Sequence, residues 1–387
     1  MAVGTKPVLA AQHAGVVEVD FGDAVLLPTL VNAHAHLELT DFPVWADACD
    51  ASPDSNSFVD WILHLVRVRK QVETEQFRLS LLAGMRDSLA VGVGAVGDIL
   101  TSYEIASVYG GSPLRGRVFC ELLGRDQQQV AARLSQLDRL ITTPPTAELS
   151  WGVSPHAPYT LAEATALQIS AYATAHHLPM AIHLAETSEE VAFLERAEGP
   201  IAEMLYTAAG WEVTVADGGH SPIEWALQTG CLPTGGLVVH GVYVNETDME
   251  LIARQGCSVA LCPRSNSLFG ETRAPLAAYR SAGVNLALGT DSRASSPSLS
   301  IWGELAFARQ WFAGLLSPSE WLEIATLGGA HALGLESVTG SLDVDKQADF
   351  QVVPMLEGAS SLDLEEALCA QGETAQVQEV FLSGQSV

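Results

Sequence analysis

The sequence Leu27-Pro28-Thr29-Leu30-Val31-Asn32-Ala33-His34-Ala35-His36-Leu37-Glu38 is an apolar run that ends in a His-x-His pair. Such a run predicts a buried β-strand, in which residues i and i+2 point to the same face. His34 and His36 would therefore project two imidazoles in parallel from the end of a rigid element. Two imidazoles can share one zinc or iron ion, although a single pair is equally compatible with structural histidines. The other ligands of a metal site must come from elsewhere in the chain.

The charge balance of the chain limits the partners that it can have. Its 387 residues include 46 acidic and 19 basic side chains, for a net charge of -27 at pH 7. This argues against nucleic acid and anionic membranes as partners. No apolar run is long enough to cross a bilayer and the N-terminus lacks a secretory signal pattern, so we expect a cytoplasmic protein. The six cysteines form no Cys-x-x-Cys pair, which predicts reduced core residues.

Short apolar runs alternate with amphipathic helical stretches along most of the chain. After the opening strand, the predicted strands span 92–99, 115–123, 149–155, 179–185, 236–243, 257–262 and 284–291. Several are apolar on both faces, as in parallel strands that helices cover on both sides. Eight alternating units within residues 27–335 predict an α/β fold of the (β/α)8 TIM-barrel type, with a doubly wound sheet as the alternative.

Both ends of the chain are predicted to lie outside the barrel. Residues 1–26 and 336–387 are β-like and punctuated by glycine, with the clearest runs at 340–344 and 348–353. We expect them to pair as a small β-sandwich domain beside the barrel. Residues 199–235 are predicted to form an enlarged connection that contains a helix at 201–209.

The polar residues at the predicted strand ends form a short set. In (β/α)8 barrels the chemistry is located at the carboxyl ends of the strands. Five of the eleven histidines fall there, and the others fall on helices or loops, where surface or capping roles are expected. The set at the strand ends is His34, His36, His156, His183 with Glu186, His240, the segment 262–266 and Asp291.

Four members of this set can form a metal site. His34, His36, His183 and Asp291 offer nitrogen and oxygen ligands and leave a coordination position open for water, as catalytic sites do. A bound divalent ion lowers the pKa of such a water towards about 7. The sequence therefore predicts metal-assisted hydrolysis or hydrolytic deamination, with one divalent metal ion per chain.

These residues occur in motifs that resemble those of the amidohydrolase superfamily over nearly the whole chain. The resemblance implies a barrel with a metal centre and a small sandwich built from both termini. Only 33 residues precede His34, fewer than is usual in the family, so we expect a small domain that lacks its first strands or a start assigned too late. The matching motifs are Pro28-Thr29-Leu30-Val31-Asn32-Ala33-His34-Ala35-His36, His183-Leu184-Ala185-Glu186, Val239-His240-Gly241, Gly289-Thr290-Asp291-Ser292 and the tail at 340–350.

The resemblance also implies the branch of the family and the roles of the site residues. Members with two metal ions bridge them with a modified lysine at the end of strand four, but this chain has no lysine between Lys70 and Lys346. This favours the mononuclear deaminase and chlorohydrolase branch. Zinc is then the expected metal, with iron as the alternative. Family analogy assigns the metal to His34, His36, His183 and Asp291, protonation of the substrate ring to Glu186, orientation of the water to His240, and acceptance of its proton to Asp291.

The expected substrate follows from further resemblances. The segment 154–159 is similar to one that contacts substrate in adenosine and S-adenosylhomocysteine deaminases, which implies a substrate contact for His156. The segments 36–40, 60–62 and 262–266 resemble the aminodeoxyfutalosine deaminases of the alternative menaquinone pathway, whose substrate is an adenine nucleoside that carries a benzoate. Arg264 would pair with the carboxylate, Glu38 would bind the ribose hydroxyls, and Trp61 would line the pocket. Structural bonds to nearby carbonyls for Arg264 and a core position for Trp61 are the competing interpretations.

Two other classes of function compete with this deaminase. One is a different reaction on the same scaffold, by an S-adenosylhomocysteine, adenosine or guanine deaminase or a triazine-type hydrolase. The other is a non-catalytic structural homologue, which the full set of site residues argues against. A small nucleoside-like molecule is thus the expected partner, and the resemblance adds a homodimer.

Overall fold

Most of the candidate site residues lie on β-strands or directly after them. The structure is a computed structural model that describes residues 2–49, 57–214, 218–355 and 364–387. The first strand along the chain, β1, belongs to a small antiparallel sheet, and the next eight form two parallel sheets. The strand bounds are β1 Ala24–Pro28, β2 Leu30–Ala35, β3 Val93–Leu100, β4 Arg115–Leu122, β5 Leu149–Pro155, β6 Ala181–Leu184, β7 Leu237–His240, β8 Ser258–Leu261, β9 Asn285–Leu288, β10 Phe350–Pro354, β11 Glu379–Leu382 and β12 Gln385–Ser386.

The parallel strands confirm the predicted alternation of strands and helices. The two parallel sheets have the orders β2-β3-β4-β5 and β6-β7-β8-β9, and each predicted range after the opening run overlaps one strand. The opening run instead covers the end of β1 and all of β2, which belong to different sheets. Nearly every residue of β2–β9 is buried, as expected for strands whose two faces are both covered. The carboxyl ends of these strands therefore lie within a layer of helices and loops rather than at an open sheet face.

The two parallel sheets contact each other at both junctions. An isolated parallel bridge joins Val153 to Met180 between β5 and β6, and another joins Ala35 to Asp291 between β2 and the end of β9. At this second junction the Asn32 side chain donates to the hydroxyl of Thr290 at 2.8 Å and accepts from its backbone N–H at 3.1 Å. The first and last parallel strands are thus tied together beside the His-x-His pair.

Helices follow most of the strands, and several begin at a side chain that caps them. The helix bounds are α1 Lys6–Gln12, α2 Phe42–Ala48, α3 Phe58–Arg69, α4 Thr74–Ala90, α5 Gln127–Leu140, α6 Glu163–Ala175, α7 Ser188–Arg196, α8 Tyr206–Ala209, α9 Pro222–Gln228, α10 Glu246–Arg254, α11 Pro263–Leu268, α12 Leu276–Ser281, α13 Ile301–Trp311, α14 Pro318–Glu323, α15 Gly329–Ala332 and α16 Leu364–Ala370. Thr187 caps α7 by accepting from the N–H of Glu190, and Asn245 caps α10 in the same way. In the described residues no helix has both the length and the apolar character needed to cross a membrane.

The small sheet joins the two ends of the chain, with the order β1-β10-β11-β12. Leu27 and Pro28 pair with Gln351 and Phe350, so the predicted boundary between residues 26 and 27 falls inside β1. The described strands at the termini form this single sheet, and none of them supplies the second layer that a sandwich needs.

Two local predictions for the termini were wrong. Residues 6–12 form the helix α1 rather than a strand, with Pro7 in its first turn, where a missing N–H is tolerated. The run 340–344 is irregular, because Ser341 donates to Asp343 and Lys346 donates to the Ser341 hydroxyl. Local side-chain bonds of this kind compete with pairing in a sheet.

Candidate active site

The His-x-His pair and Asp291 lie together where β2 meets the end of β9. The Nε2 atoms of His34 and His36 lie 3.5 and 3.4 Å from Oδ1 of Asp291. The two imidazole rings are nearly perpendicular, with centroids 5.0 Å apart. Neighbouring side chains on one strand face thus approach the same carboxylate oxygen from two directions.

His183, at the third position of β6, presents one ring nitrogen to this group. Its Nδ1 lies 2.7 Å from the carbonyl oxygen of His156. A carbonyl oxygen can only accept, so Nδ1 carries the hydrogen and the lone pair is on Nε2. That Nε2 atom lies 3.4 Å from Nε2 of His36. Burial, together with the neighbouring imidazoles, lowers the pKa of His183 well below its usual value, so the ring is neutral.

Asp291 is held in place from its other oxygen. The hydroxyls of Ser265 and Ser295 donate to Oδ2 at 2.7 and 2.8 Å, which leaves Oδ1 towards the histidines. Its backbone has a φ of +58°, a conformation that few non-glycine residues adopt. Burial opposes ionisation of Asp291, but His34 and His36 outweigh it and bring its pKa well below the usual value. The group is therefore a carboxylate.

The ring nitrogens of His34 indicate whether these residues can hold a metal ion. His34 is fully buried, and neither ring nitrogen makes a hydrogen bond within the described part of the chain. An unpaired buried polar atom is costly unless a ligand satisfies it. Ligand atoms of His34, His36 and Asp291 all lie within 4.8 Å of one another, as do those of His34, His183 and His240. The donor set, neutral imidazoles and one carboxylate, fits a divalent cation.

Glu186 follows β6 in a buried turn. Its neighbour Ala185 has a φ of +53°, and the Glu190 carboxylate accepts from the N–H groups of Ala185 and Glu186 at 3.1 and 2.8 Å. Burial, then the charges of Asp291 and Glu190, raise the pKa of Glu186 well above its usual value. This shift favours the protonated form of Glu186, which can donate a proton.

His240, the last residue of β7, contacts Glu186 across the site. Its Nε2 lies 3.5 Å from Oε1 of Glu186, and its Nδ1 lies 3.0 Å from the amide nitrogen of Asn266. An amide nitrogen donates, so Nδ1 accepts and the hydrogen is on Nε2. Burial lowers the pKa of His240 to about 3, so the ring is neutral. In this tautomer His240 is a hydrogen-bond donor towards the cavity.

A cavity of about 850 Å³ opens onto this cluster. His156 and Trp61 are among the residues that line it, and the Trp61 indole N–H donates to the carbonyl oxygen of Ala294 at 3.0 Å. Most of the cavity wall is apolar, and the C-terminal part of α3 forms one side of it. The polar lining at the cluster comprises His36, Glu121, His156, His183, Glu186, His240 and Asp291.

The structure gives Arg264 a different role from the predicted one. Its guanidinium makes an ion pair with the buried Glu304 at 2.6 Å, contacts Glu373, and donates to the carbonyl oxygens of Ser298 and Ser300. It is not among the residues that line the cavity. These protein groups occupy the donors that a substrate carboxylate would need, so the competing structural interpretation describes Arg264.

Glu38 is also turned away from the cavity. One carboxylate oxygen accepts from Arg69 at 2.9 Å and the other from the backbone N–H of Ser102 at 3.0 Å. The residue is fully buried and is absent from the cavity wall. A side chain buried in this way does not reach the cavity, so the predicted contact with ribose hydroxyls is not possible in this conformation.

The sequence did not single out several residues that contact the cluster. Ser265, Ser295 and Asn266 orient Asp291 and His240, and Glu121 lines the cavity at the end of β4. A signal for Glu121 was present, since it is an acid in the apolar second half of β4, next to the strand end. Ser265 and Asn266 lie in the segment 262–266, for which the sequence predicts a strand-end position but no role for either side chain.

Known proteins match the chain over most of its length. The profile of the amidohydrolase family matches residues 25–387. An aminodeoxyfutalosine deaminase of Deinococcus radiodurans is 31% identical over 325 residues, which cover 80% of this chain and 74% of that protein. A 5-methylthioadenosine/S-adenosylhomocysteine deaminase of Halobacterium salinarum is 28% identical over 366 residues, 91% of this chain and 77% of that protein. The structure of an adenosine deaminase from Xanthomonas campestris with bound zinc superimposes with a TM-score of 0.72 and 27% identity, and covers 94% of this chain and 80% of that one.

Proposed function

The chain belongs to the amidohydrolase family, and from this premise we propose that it is a metal-dependent hydrolytic deaminase of an adenine nucleoside. One observation carries the proposal: the buried carboxyl group of Glu186, whose pKa burial raises, lies 3.5 Å from Nε2 of His240 beside the histidine and aspartate cluster. A proton donor, a neutral hydrogen-bond donor and a cation site on one cavity are what hydrolytic loss of an amine needs. The named deaminase relatives support the reaction class.

We assign the metal to His34, His36, His183 and Asp291. When bound, the ion would supply a water molecule with a lowered pKa. Zinc is the proposed metal, because the Xanthomonas campestris relative holds zinc, and iron accepts the same ligands. Ser265 and Ser295 hold Asp291 in place, and the carbonyl oxygen of His156 orients the ring of His183.

The other residues move protons and orient the reacting groups. The Nε2–H of His240 orients the attacking water and donates to the oxygen that develops negative charge. Asp291 accepts the proton of the water, and the protonated Glu186 gives its proton to the ring nitrogen next to the attacked carbon. Asp291 passes the proton of the water to the amine, the C–N bond breaks and ammonia leaves. The hydroxyl proton on the attacked carbon returns to Glu186 as the carbonyl forms. The product is the corresponding hypoxanthine nucleoside.

Aminodeoxyfutalosine is the substrate that we propose, and the end of α3 supports it. Leu63, Val66, Arg67 and Lys70 line the cavity at helical spacing, so an apolar wall leads to two exposed cations. Cations are scarce in this chain, with 19 among 387 residues. An aromatic arm that ends in a carboxylate fits this wall. Arg67 and Lys70 thus take the role first expected of Arg264.

A closed barrel is the architecture that we propose for β2–β9. The parallel bridges at both junctions and the hydrogen bonds between Asn32 and Thr290 support it. Closure would place the ends of all eight strands around one cavity.

Release of ammonia by the zinc-loaded protein tests the function. Aminodeoxyfutalosine, adenosine, 5-methylthioadenosine, S-adenosylhomocysteine, guanine and a triazine would be compared by kcat/KM. We expect the highest value for aminodeoxyfutalosine. A higher value for either sulfur-containing nucleoside would favour the function of the Halobacterium salinarum relative, and turnover of guanine or triazine alone would refute a nucleoside deaminase.

The double substitution Arg67→Gln and Lys70→Gln tests the substrate. It should raise KM for aminodeoxyfutalosine about 10-fold, since a hydrogen bond to a charged group is lost, and leave KM for adenosine unchanged. Arg86→Gln is a matched control, because Arg86 is an exposed cation outside the cavity. Equal effects on both substrates would remove Arg67 and Lys70 from carboxylate binding.

A further inference from the structure

Glu190 is a buried acid beside the turn that carries Glu186, and the proposed mechanism has no role for it. It is the third residue of α7, and only 1% of it is exposed. Its Oε1 accepts from the backbone N–H of Ala185 at 3.1 Å, and its Oε2 accepts from the N–H of Glu186 at 2.8 Å. One buried side chain thus binds the backbone of both residues that lead from β6 into the site.

The turn between β6 and α7 has a backbone conformation that needs support. Ala185 has a φ of +53°, which a residue with a side chain adopts only when its surroundings hold it there. Its carbonyl oxygen accepts from the N–H groups of Val242 and Tyr243 at 2.9 and 2.8 Å, in the turn that follows β7. Its own N–H is bound by Glu190. Hydrogen bonds from two directions therefore fix this conformation.

The carboxyl group of Glu186 depends on this turn for its position. It lines the cavity and lies 3.5 Å from Nε2 of His240. A proton donor has to remain available to the substrate, so the backbone that carries Glu186 sets where its side chain points. A displacement of about 1 Å at a reacting group can lower a rate about 100-fold. The hydrogen bonds that hold the turn therefore bear on the reaction.

An ordinary helix cap is the competing interpretation of Glu190. An acid at the third position of a helix commonly accepts from the N–H of the capping residue. Three other helices of the chain show this arrangement, and the pairs are Glu224 with Ser221 in α9, Asp248 with Asn245 in α10 and Glu320 with Ser317 in α14. Glu190 occupies the same position in α7 but also reaches past the capping residue Thr187 to Glu186 and Ala185. A cap of α7 does not require these two bonds.

We propose that Glu190 is a positioning residue, which holds the backbone of residues 185–186 so that Glu186 points at the substrate. The inference deepens the proposed function and rests on it. Glu190 is not among the residues that line the cavity, so it acts through Glu186 rather than on the substrate. Without its carboxyl group, the N–H groups of Ala185 and Glu186 are left buried and unpaired, which favours a rearranged turn.

A double-mutant cycle between Glu190 and Glu186 tests this role. The zinc-loaded wild type, Glu190→Ala, Glu186→Gln and the double variant would be assayed with aminodeoxyfutalosine and adenosine. We expect Glu190→Ala to lower kcat about 10- to 100-fold and to change KM less than about 2-fold. In the Glu186→Gln background the same substitution should change kcat less than about 2-fold, because no proton donor is left to position.

Two further variants separate the bonds of Glu190 from a general effect on the fold. Glu224→Ala is the matched control, because it removes an acid from the same position of α9, outside the cavity wall. It should lower the melting temperature, as loss of a cap does, and leave kcat unchanged. Glu190→Gln keeps one acceptor oxygen, so it should lose less of kcat than Glu190→Ala. It also decides the question if the alanine variant does not fold.

Several outcomes would overturn the role of Glu190 while leaving the deaminase function intact. One is an unchanged kcat in Glu190→Ala, and another is an equal proportional loss in the Glu186→Gln background. A fall in zinc affinity, measured by competition with a chelator, would show that Glu190 acts through His183 instead. Equal losses in Glu190→Gln and Glu190→Ala would assign the effect to its charge rather than to its hydrogen bonds. A wild type that deaminates no adenine nucleoside would refute both the role and the function.

Discussion

Glu186 lies in a buried position near two further carboxylates, those of Asp291 and Glu190, and these surroundings raise its pKa well above the usual value. Asp291 lies a few residues before Ser295 in the chain. Its pKa is shifted in the opposite direction, to well below the usual value, because His34 and His36 contact it. Two carboxyl groups of one cavity thus differ in protonation at neutral pH. This separation is consistent with the roles proposed above, proton donation by Glu186 and metal binding and proton acceptance by Asp291.

Substitution of Glu186 by glutamine tests its role as the proton donor. Glutamine keeps the size of the side chain but has no acidic proton, so kcat should fall by about 10²- to 10⁴-fold. The zinc content, measured by elemental analysis, should stay at one equivalent because Glu186 is not a proposed ligand. Glu198→Gln, at an exposed acid after α7, should behave as wild type. Full activity of Glu186→Gln would remove the proposed proton donor.

Substitution of Ser265 by alanine tests whether the serine hydroxyls orient Asp291. The variant loses one of the two donors to Oδ2 and keeps the one from Ser295. Zinc affinity, measured by competition with a chelator, should fall about 10- to 100-fold. Ser267→Ala is the matched control on the same helix, because Ser267 donates to the carbonyl oxygen of Arg264 instead. An unchanged affinity in Ser265→Ala would show that Ser295 alone suffices.

At the scale of elements, the helix α11 is placed by a buried ion pair with α13. Arg264 of α11 pairs with Glu304 of α13 and contacts Glu373 near the C-terminus. The next two residues of α11, Ser265 and Asn266, contact Asp291 and His240. Arg264 therefore positions two site contacts without entering the cavity.

Removal of Arg264 should act on stability. Arg264→Ala leaves Glu304 buried without its partner, which costs about 3–5 kcal/mol of unfolding free energy. Arg280→Ala, which breaks an exposed pair with Glu320, should cost under about 1 kcal/mol. Urea unfolding midpoints measure both. Normal stability of Arg264→Ala with a raised KM for aminodeoxyfutalosine alone would instead restore the substrate contact that the sequence predicted.

Hydrophobic periodicity predicted which helices and strands form more accurately than it predicted where they begin and end. The predicted strand 236–243 is β7, Leu237–His240, which stops where His240 and Gly241 take positive φ values and turn into the site. The helix α7 begins at Ser188, directly after Thr187, whose hydroxyl caps it. Apolar patterning reflects burial, whereas an element ends where backbone conformation changes, and patterning does not report that change.

At the scale of the whole molecule, the buried acids and the negative net charge both make the folded protein less stable as the pH rises. Burial raises the pKa of Asp98 and Glu190 to about 7 each. In the unfolded chain these groups titrate near 4. Protonation of the folded state thus contributes stability that is complete below pH 4 and is lost as the pH rises through about 7. The net charge of -27 adds repulsion over the same range.

The melting temperature should therefore fall between pH 5 and pH 8, and added salt should reduce the fall by screening the repulsion. Calorimetry at low and high salt measures both effects. Asp98→Asn should flatten the dependence, because an amide can still accept from the N–H of Leu37 and bond with Tyr109 without titrating. A melting temperature that rises over this range would contradict the assignment of protonated buried acids.

The sequence alone determined the strands and the histidine and aspartate set, because apolar patterning and strand-end position are local properties of the chain. It could not determine which charged side chains face the cavity. Arg264 is occupied by Glu304 and Glu373, which are 40 and 109 residues away, and Glu38 by Arg69. Such long-range pairs form only in the folded chain. Glu121, Arg67 and Lys70 line the cavity wall instead. The His-x-His pair was thus readable from its own strand, but its surroundings were decided by tertiary packing.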